Sequence, residues 1–373
     1  MNFDYSEEQQ LLADSVRRFL AKDYDFETRK KIVASDEGCS AEAWATLAEM
    51  GVTGLPLPAE FGGFGGGAVD LMGVMEAFGD ALVVEPYLAT VMAARLVARA
   101  GNEAQRGSIL PRVVEGRIRL ALAHTERGAR YNLAHVKTAA KPVAGGWQLD
   151  GEKVVVLGAP LAERVVVSAR TAKGISLFLV DHGALRLRAY RTLDEMRAAD
   201  ISLQAVKVGA DALLGEEGGA LPLLEEVTDF ATALVCAEAV GAIKFACDTT
   251  LEYLKTRKQF GVPIGTFQAL QHRIVDMYIA HEQARSMACV AASRADSAQS
   301  VRERQLAVSA AKIKIADACR HVSQESVQLH GGMGMSEELK VSHTFRRLTV
   351  IAQQFGDAEH HLGRFAALDT EGT

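Results

Sequence analysis

Apolar residues recur at steps of three and four through the first and last thirds of the chain, and the period changes to short β-branched runs only between them. Near the start, Ser6 and Gln9 stand just before Leu11, Leu12, Val16, Phe19 and Leu20, the spacing of a capping box that opens an amphipathic helix. The same period predicts helices over residues 41–50, 71–78, 87–100 and 103–115. The stretch 55–67, LPLPAEFGGFGGG, is too rich in Gly and Pro to be regular. Its glycines invite a phosphate-loop reading, but no Lys-Ser/Thr follows and no GxGxxG can be registered, so a surface turn is the expectation.

From about Arg119 the runs 120–124, 147–150, 154–157, 165–168, 175–180, 185–190 and 201–208 read as strands. Turn signals such as Gly145-Gly146 and Asp150-Gly151 separate them, which predicts a compact sandwich or barrel. After Gly218-Gly219 the helical period returns and holds to about Leu362. Cys236, Val240, Ile243, Cys247, Leu251 and Leu254 form one stripe, and Phe267, Leu270, Ile274, Met277, Ala284, Ala288 and Ala291 a second. A third runs through Leu306, Ala310, Ile313 and Ala316, and a last helix follows Ser336. Antiparallel helices of this length form a bundle. Their Ala-rich faces leave two meanings open, a roomy pocket or close helix packing.

The fold expected is therefore α+β and multidomain, with a helical N-terminal domain over 1–118, a central β-barrel or sandwich over 119–212 and a C-terminal four-helix-bundle domain over 213–373. Between the first two bundle stripes, Arg257 and Lys258 fall at a helix end, where cations suit the negative pole, and Gly261, Pro263 and Gly265 break the pattern. Residues 251–273 thus predict a helical hairpin with a positively charged turn.

Composition adds exclusions. The 373 residues, 49% apolar and 24% charged, are ordinary for a soluble chain, and a net charge of -6 gives no footprint for nucleic acid. The start, MNFDYSEEQQ, has neither a basic segment nor an apolar run, and no window approaches a membrane span, so a cytoplasmic protein is expected. Cys39, Cys236, Cys247, Cys289 and Cys319 are scattered without a CxxC pair, and four of them lie on helical stripes as small hydrophobes. His281-Glu282 lacks a second His four residues on, and His360-His361 would point to different sides of a helix, so no metal site is expected.

The segment Thr256-Arg257-Lys258-Gln259-Phe260-Gly261, followed by Gln268 and Gln271, resembles the acyl-CoA dehydrogenase superfamily, which has this α/β/α order over its whole length. Gln328-Leu329-His330-Gly331-Gly332-Met333-Gly334 is similar to that family's Gln-x-x-Gly-Gly-x-Gly loop. The resemblance implies an acyl-CoA dehydrogenase-like fold and FAD, whose adenosine diphosphate half Arg257, Gln259, Phe260, Gln268, Gln328, Gly331 and Gly332 would help to hold for a neighbouring subunit. Arg257 offers the forked, permanently charged donor set that a pyrophosphate suits. Thr125, in His124-Thr125-Glu126, stands where the family's Thr-Glu-Pro loop meets flavin, with Arg127 in place of the Pro. Gly151-Glu152-Lys153 matches the family's Gly-x-Lys. Val155 and Leu157 replace a Trp and a Thr or Ser, and a valine cannot donate to a flavin edge.

The catalytic positions depart from the family. A Glu there removes the proton beside a thioester carbonyl while hydride moves to flavin. One family position, in a Tyr-Glu-Gly-Thr stretch, aligns with Phe355-Gly356-Asp357-Ala358 and places Gly356 at the base. The other, ten residues before Gly241, is Ala231, and the neighbouring substrate-binding Arg is Thr232, although Asp229 is retained. Residues 355–362 and 154–157 resemble the small subunits of heteromeric acyl-CoA dehydrogenases, such as the pimeloyl-CoA dehydrogenase small subunit.

That resemblance implies an α2β2 partnership with a paralogous large subunit, an acyl-CoA substrate and electron-transfer flavoprotein as acceptor. Two alternatives stand beside it. Asp357 could act as the base of a self-sufficient enzyme, against its plainer role as a helix N-cap; or the chain is a flavin-free scaffold.

Overall fold

The computed structural model describes residues 5–370. Helix α1 (Glu7–Asp23) opens on the capping box: Ser6 Oγ accepts the Gln9 N–H at 3.2 Å and Gln9 Oε1 accepts the Ser6 N–H at 2.8 Å. The nine-residue α2 (Phe26–Ala34) carries too little apolar surface to show in the pattern. α3 (Ala41–Glu49), α4 (Ala68–Ala81), α5 (Tyr87–Ala100) and α6 (Glu103–Val114) stand where periodicity predicts them. Residues 55–67 are irregular, and the phosphate-loop alternative for their glycines has a physical answer at the start of α4. Asp296, from α8 (Gln268–Ser297), accepts the Ala68 N–H at 2.7 Å and the Val69 N–H at 2.9 Å, so an internal carboxylate takes the donors a phosphate would use.

The strands are β1 (Leu120–Ala123), β2 (Ala139–Val143), β3 (Gly146–Leu157), β4 (Arg164–Thr171), β5 (Gly174–Asp181), β6 (Arg186–Arg191), β7 (Arg197–Gly209) and β8 (Leu213–Leu214). They form one mixed eight-stranded sheet in the order β6-β7-β3-β2-β4-β5-β8, with β1 parallel to β4. Leu149, Val156, Val165, Val167, Phe178 and Ile201 share its core.

Two expectations change here. β2 was not foreseen, because Ala-Ala-Lys-Pro-Val lacks apolar alternation. Asp150-Gly151 lies inside β3 opposite a bulge of β7 and is not a turn, and it joins two expected runs into one strand. The register of β3 on β7 slips between Leu149 and Gly151 and again between Lys153 and Val156. Each slip is fastened by an aspartate on the strand opposite: Asp150 Oδ1 accepts from Ala205 N at 2.8 Å and Asp200 Oδ1 from Val155 N at 3.2 Å. Ala205 and Val155 both have the left-handed backbone, φ 51° and 52°, that such bulges produce.

Helix α7 (Ala220–Thr256) runs for 37 residues, and α9 (Val301–His330), α10 (Lys340–Gln353) and α11 (Ala358–Thr370) follow α8. The expectation that no window reaches the length of a membrane span is corrected: α7 is long and apolar enough, and 89% of its most apolar window is buried, as in a core helix. The single last helix expected after Ser336 is two, α10 and α11, because Phe355 and Gly356 take positive φ. The third stripe also moves by one face. α9 buries Val308, Ala311, Ile315, Cys319 and Val322, and Lys312 and Ser309 lie among them.

By internal contacts the chain divides into two compact units. One gathers the residues up to Lys30, Gly67–Val83 and those from Thr232 on; the other holds Lys31–Gly66 and Val84–Ala231, including the sheet. In the first, α4 and α7 cross backbone to backbone. A methyl on Gly79 would lie 1.8 Å from Glu238 O, and one on Gly241 1.9 Å from Glu76 O. At this crossing the small residues of α7 serve close packing, the second of the two meanings. Beside it, buried Arg347 and Glu238 form a bidentate pair with both bonds at 2.6 Å.

Candidate functional site

The expected charged hairpin begins where α7 ends. Arg257 N–H bonds to Tyr253 O at 2.8 Å, and Arg257 O accepts from Ile264 N at 2.8 Å, closing a small loop. Within it Lys258-Gln259 pairs antiparallel with Val262-Pro263, and Phe260 and Gly261 turn the chain with φ 54° and 82°, the two positive angles that a two-residue hairpin asks for. A bulky Phe is an unusual occupant of that position. Its ring is 90% exposed and meets Phe267 edge-on at 6.1 Å. Gln268 starts α8.

The second motif is brought to the same end of the bundle by an aromatic contact. His330, the last residue of α9, stacks on Tyr253 of α7 with ring centroids 4.4 Å apart, and its Nδ1 donates to Ser326 O at 2.8 Å. Gly331 and Gly332 follow, both exposed, with open space where a Cβ would be. Gln328 is exposed one residue before buried Leu329. Among the described residues, no side-chain hydrogen bond or ion pair engages Arg257, Gln259, Gln268 or Gln328. The sequence motifs thus converge on one set of uncommitted polar groups.

In the sheet unit, Thr125 is exposed and its carbonyl accepts from Val154 N at 2.9 Å. Beneath it lies a buried polar network that neighbouring motifs only hint at. Lys153 Nζ donates to Glu126 Oε1 at 2.8 Å, Ser168 Oγ at 3.0 Å and His124 O at 3.3 Å, and Ser168 Oγ meets His124 Nδ1 at 2.9 Å. Burial pulls the Lys153 ammonium down to about 8 despite Glu126. Burial alone would raise the Glu126 carboxyl, but Lys153 and the Thr138 and Lys137 N–H groups hold it at about 2. Burial and the Lys153 charge pull His124 down to about 4, so it is neutral at pH 7.

Val155 is exposed and Leu157 half-buried. Asp200, which fixes Val155, also accepts from Arg188 at 2.6 Å, from Tyr190 at 2.9 Å and from Arg127 at 3.5 Å. Arg127, the residue in place of the family's Pro, therefore has a partner. No local motif marks Asp200, because its donors come from three separate segments.

The turn between α10 and α11 is built from buried groups. Lys312, with no exposed surface, donates to Gly356 O at 2.6 Å and to Ala352 O at 3.3 Å, and burial lowers its ammonium below the ordinary lysine range. His361 Nε2 lies 3.2 Å from Phe355 O and its Nδ1 3.3 Å from Ser309 Oγ. Asp357 caps α11, its Oδ1 accepting the His360 N–H at 2.8 Å. His360 and His361, expected on different sides of a helix, both close on Gly356, with ring centroids 5.2 Å apart. Lys312 was missed because a lysine at a core position reads as an interruption of a stripe. Of the thiols, all five are free, and burial pushes Cys236, Cys247 and Cys319 up to about 12.

Three family models match in chain order: the acyl-CoA dehydrogenase N-terminal domain over residues 6–117, the middle domain over 121–207 and the C-terminal domain over 222–367. The chain belongs to the acyl-CoA dehydrogenase family. Acyl-CoA dehydrogenase FadE12 of Mycobacterium tuberculosis is 30% identical, over 94% of this chain and 93% of its own length. Among solved structures, a variant of the steroid ACAD Tcur3481-Tcur3483 is 31% identical with a TM-score of 0.89, covering 98% of both chains. The ChsE4-ChsE5 complex from Mycobacterium tuberculosis is 26% identical with a TM-score of 0.91, covering 100% of this chain and 99% of that one.

As an acyl-CoA dehydrogenase, the chain has an unusual set of residues at the positions matched to the base. Ala231 has no exposed surface and sits mid-helix in α7, next to buried Asp229 and Thr232. Gly356 has no side chain, and a Cβ there would lie 2.5 Å from His361 Nε2.

Proposed function

We propose that this chain is the small subunit of a heteromeric acyl-CoA dehydrogenase, an α2β2 assembly that desaturates an acyl-CoA thioester between its α and β carbons. It lends Arg257, Gln259, Phe260, Gln268, Gln328, Gly331 and Gly332 to an FAD held mainly by a paralogous large subunit, and it carries no working base of its own. The observation behind this reading is an asymmetry of commitment. Arg257, Gln259, Gln268 and Gln328 are exposed, with no side-chain hydrogen bond or ion pair among the described residues, whereas Asp357, the carboxylate next to Gly356 in the chain, is used as a helix cap.

The donor set fits FAD. An unpaired guanidinium beside exposed glycine backbone suits a pyrophosphate, and exposed Phe260 offers an apolar ring to a planar base. FAD, when bound, accepts the hydride that leaves the β carbon. In this chain Arg257 holds phosphate charge, and Thr125, on a loop fixed by the Lys153–Glu126 pair, presents a hydroxyl. The same reading makes electron-transfer flavoprotein the acceptor, the substrate site chiefly the partner's, and the cytoplasm the compartment. That two of the similar solved structures are each named for a pair of components supports the heteromer.

The test is co-expression with a paralogous large subunit. Co-purification, activity that needs both chains and one flavin per two chains are expected; robust dehydrogenation by this chain alone would overturn the reading. Asp357→Asn in the assembled enzyme should leave the rate unchanged, and a large drop would favour Asp357 as base. A colourless complex would favour the scaffold.

A further inference from the structure

In the turn between α10 and α11, two consecutive carbonyls each receive a side-chain donor, Phe355 O from His361 Nε2 at 3.2 Å and Gly356 O from Lys312 Nζ at 2.6 Å. The Phe355 carbonyl can only accept, so Nε2 is the donor nitrogen, and Ser309, one helical turn before Lys312 on α9, meets the other nitrogen, Nδ1, at 3.3 Å. Burying an ammonium without a carboxylate hydrogen-bonded to it is costly. The groups gathered here hold Phe355 at φ 59°, which a bulky residue seldom takes, beside Gly356 at φ 128°, which glycine accepts.

That conformation decides how the family's Tyr-Glu-Gly-Thr stretch falls on this chain. Gly356 occupies a region of φ that side-chain-bearing residues rarely adopt, so it matches the Gly of the stretch. Asp357 is the N-cap of α11, and Thr is an equally suitable cap, so it matches the Thr. The Glu then falls on Phe355. Space agrees: a Cβ at 356 would lie 2.5 Å from His361 Nε2 and 2.6 Å from His360 Cδ2, with α11 in the way of any longer side chain.

We propose that Phe355, not Gly356, stands at the family's proton-acceptor position in this chain, on a turn that Lys312 and His361 hold in its conformation. This moves by one residue the alignment expected from sequence, and it rests on the small-subunit reading. An apolar ring replaces the carboxylate, while the turn that would present one is kept. A carboxylate restored at 355 can take the α-proton of a bound thioester, leaving the C–H electron pair in the enolate. It can then return a deuteron from solvent. This exchange needs no oxidant.

The test uses the full chain: binding of butyryl-CoA is first measured by calorimetry, its absence overturning the proposal, and exchange at the α carbon in deuterated buffer is then followed by NMR. Phe355→Glu should melt near the parent and exchange at least tenfold faster, Phe355→Gln should not gain exchange, and Gly356→Glu should melt well below the parent and gain none. Exchange gained by Gly356→Glu, or by neither Glu variant, overturns the assignment. If Phe355→Glu does not fold, Phe355→Gly with added acetate offers a carboxylate to the same space at a φ that glycine accepts; absence of rescue overturns it equally. Exchange by the parent itself, lost in Asp357→Asn, would instead overturn the small-subunit reading.

Discussion

The hairpin at 257–268 and the turn at 354–357 lie in the same helical unit and are built in opposite ways. Both contain a bulky residue at positive φ, Phe260 at 54° and Phe355 at 59°. Near Phe260 the side chains of Arg257, Gln259 and Gln268 have no hydrogen-bond or ion-pair partner among the described residues, and the ring itself is almost wholly exposed. Around Phe355 the neighbouring carbonyls are taken by Lys312 and His361, both buried. Strain persists only where surroundings over-determine it or something outside the chain rewards it. The turn has its support within the fold. The hairpin has less: its own backbone pairing, the edge-on contact of Phe260 with Phe267 and the bond from Gln271 to Gly265 O.

The comparison breaks most visibly at Gly356. Gly356→Ala puts a methyl 2.5 Å from His361 Nε2 at φ 128°, and chemical denaturation should show a loss of about 3 kcal/mol. A change of a few tenths would mean that the turn is not held as described.

A smaller effect comes from acid. Burial, aided by the Lys312, His360 and Arg364 charges, lowers His361 to about 3, against an ordinary value near 6.5. Between those values the unfolded chain binds a proton that the folded chain refuses, so stability is retained above about 6.5 and declines as pH falls. Going from pH 7 to 5 should remove about 2 kcal/mol through this one group. His124, lowered to about 4 in the other unit, adds a decline of the same sign. Replacing His361 with Gln should flatten the first component, which a pH series of melting curves would show.

The smallest effect on stability belongs to the hairpin. Arg257→Ala should change the free energy of folding by less than about 0.5 kcal/mol, because the side chain is exposed and unengaged. The assembled enzyme should nonetheless bind FAD roughly ten- to a hundredfold more weakly, the worth of a charge-assisted hydrogen bond or two. A large loss of stability with flavin affinity intact would erase the contrast between the two regions.

Much of the helical architecture was legible because its signals are local. Ser6 and Gln9 are three residues apart, and the stripes from Cys236 to Leu254 and from Ile274 to Ala291 need no knowledge of their partners. The residues that the resemblance assigns to the cofactor could be named for the same reason, since Arg257 to Gly261 and Gln328 to Gly334 are contiguous. What failed depended on distant chain. Asp150-Gly151 has the composition of a turn, and only its pairing with β7 makes it part of a continuous strand. Residues 55–67 were expected as a turn and are irregular, but that Asp296 takes the Ala68 and Val69 N–H groups could not be read from them.

The sequence by itself determined the family, the order of helical and β segments, the charged hairpin and the absence of a glutamate at either base position, because each is written in residue identity and short-range spacing. Only the tertiary structure decided that Asp357 is a cap, that Lys312 enters the core to hold a carbonyl, and that Phe355 and Gly356 take positive φ. Those outcomes turn on backbone dihedrals and on hydrogen bonds spanning some forty to fifty residues, between groups whose partners no local pattern names.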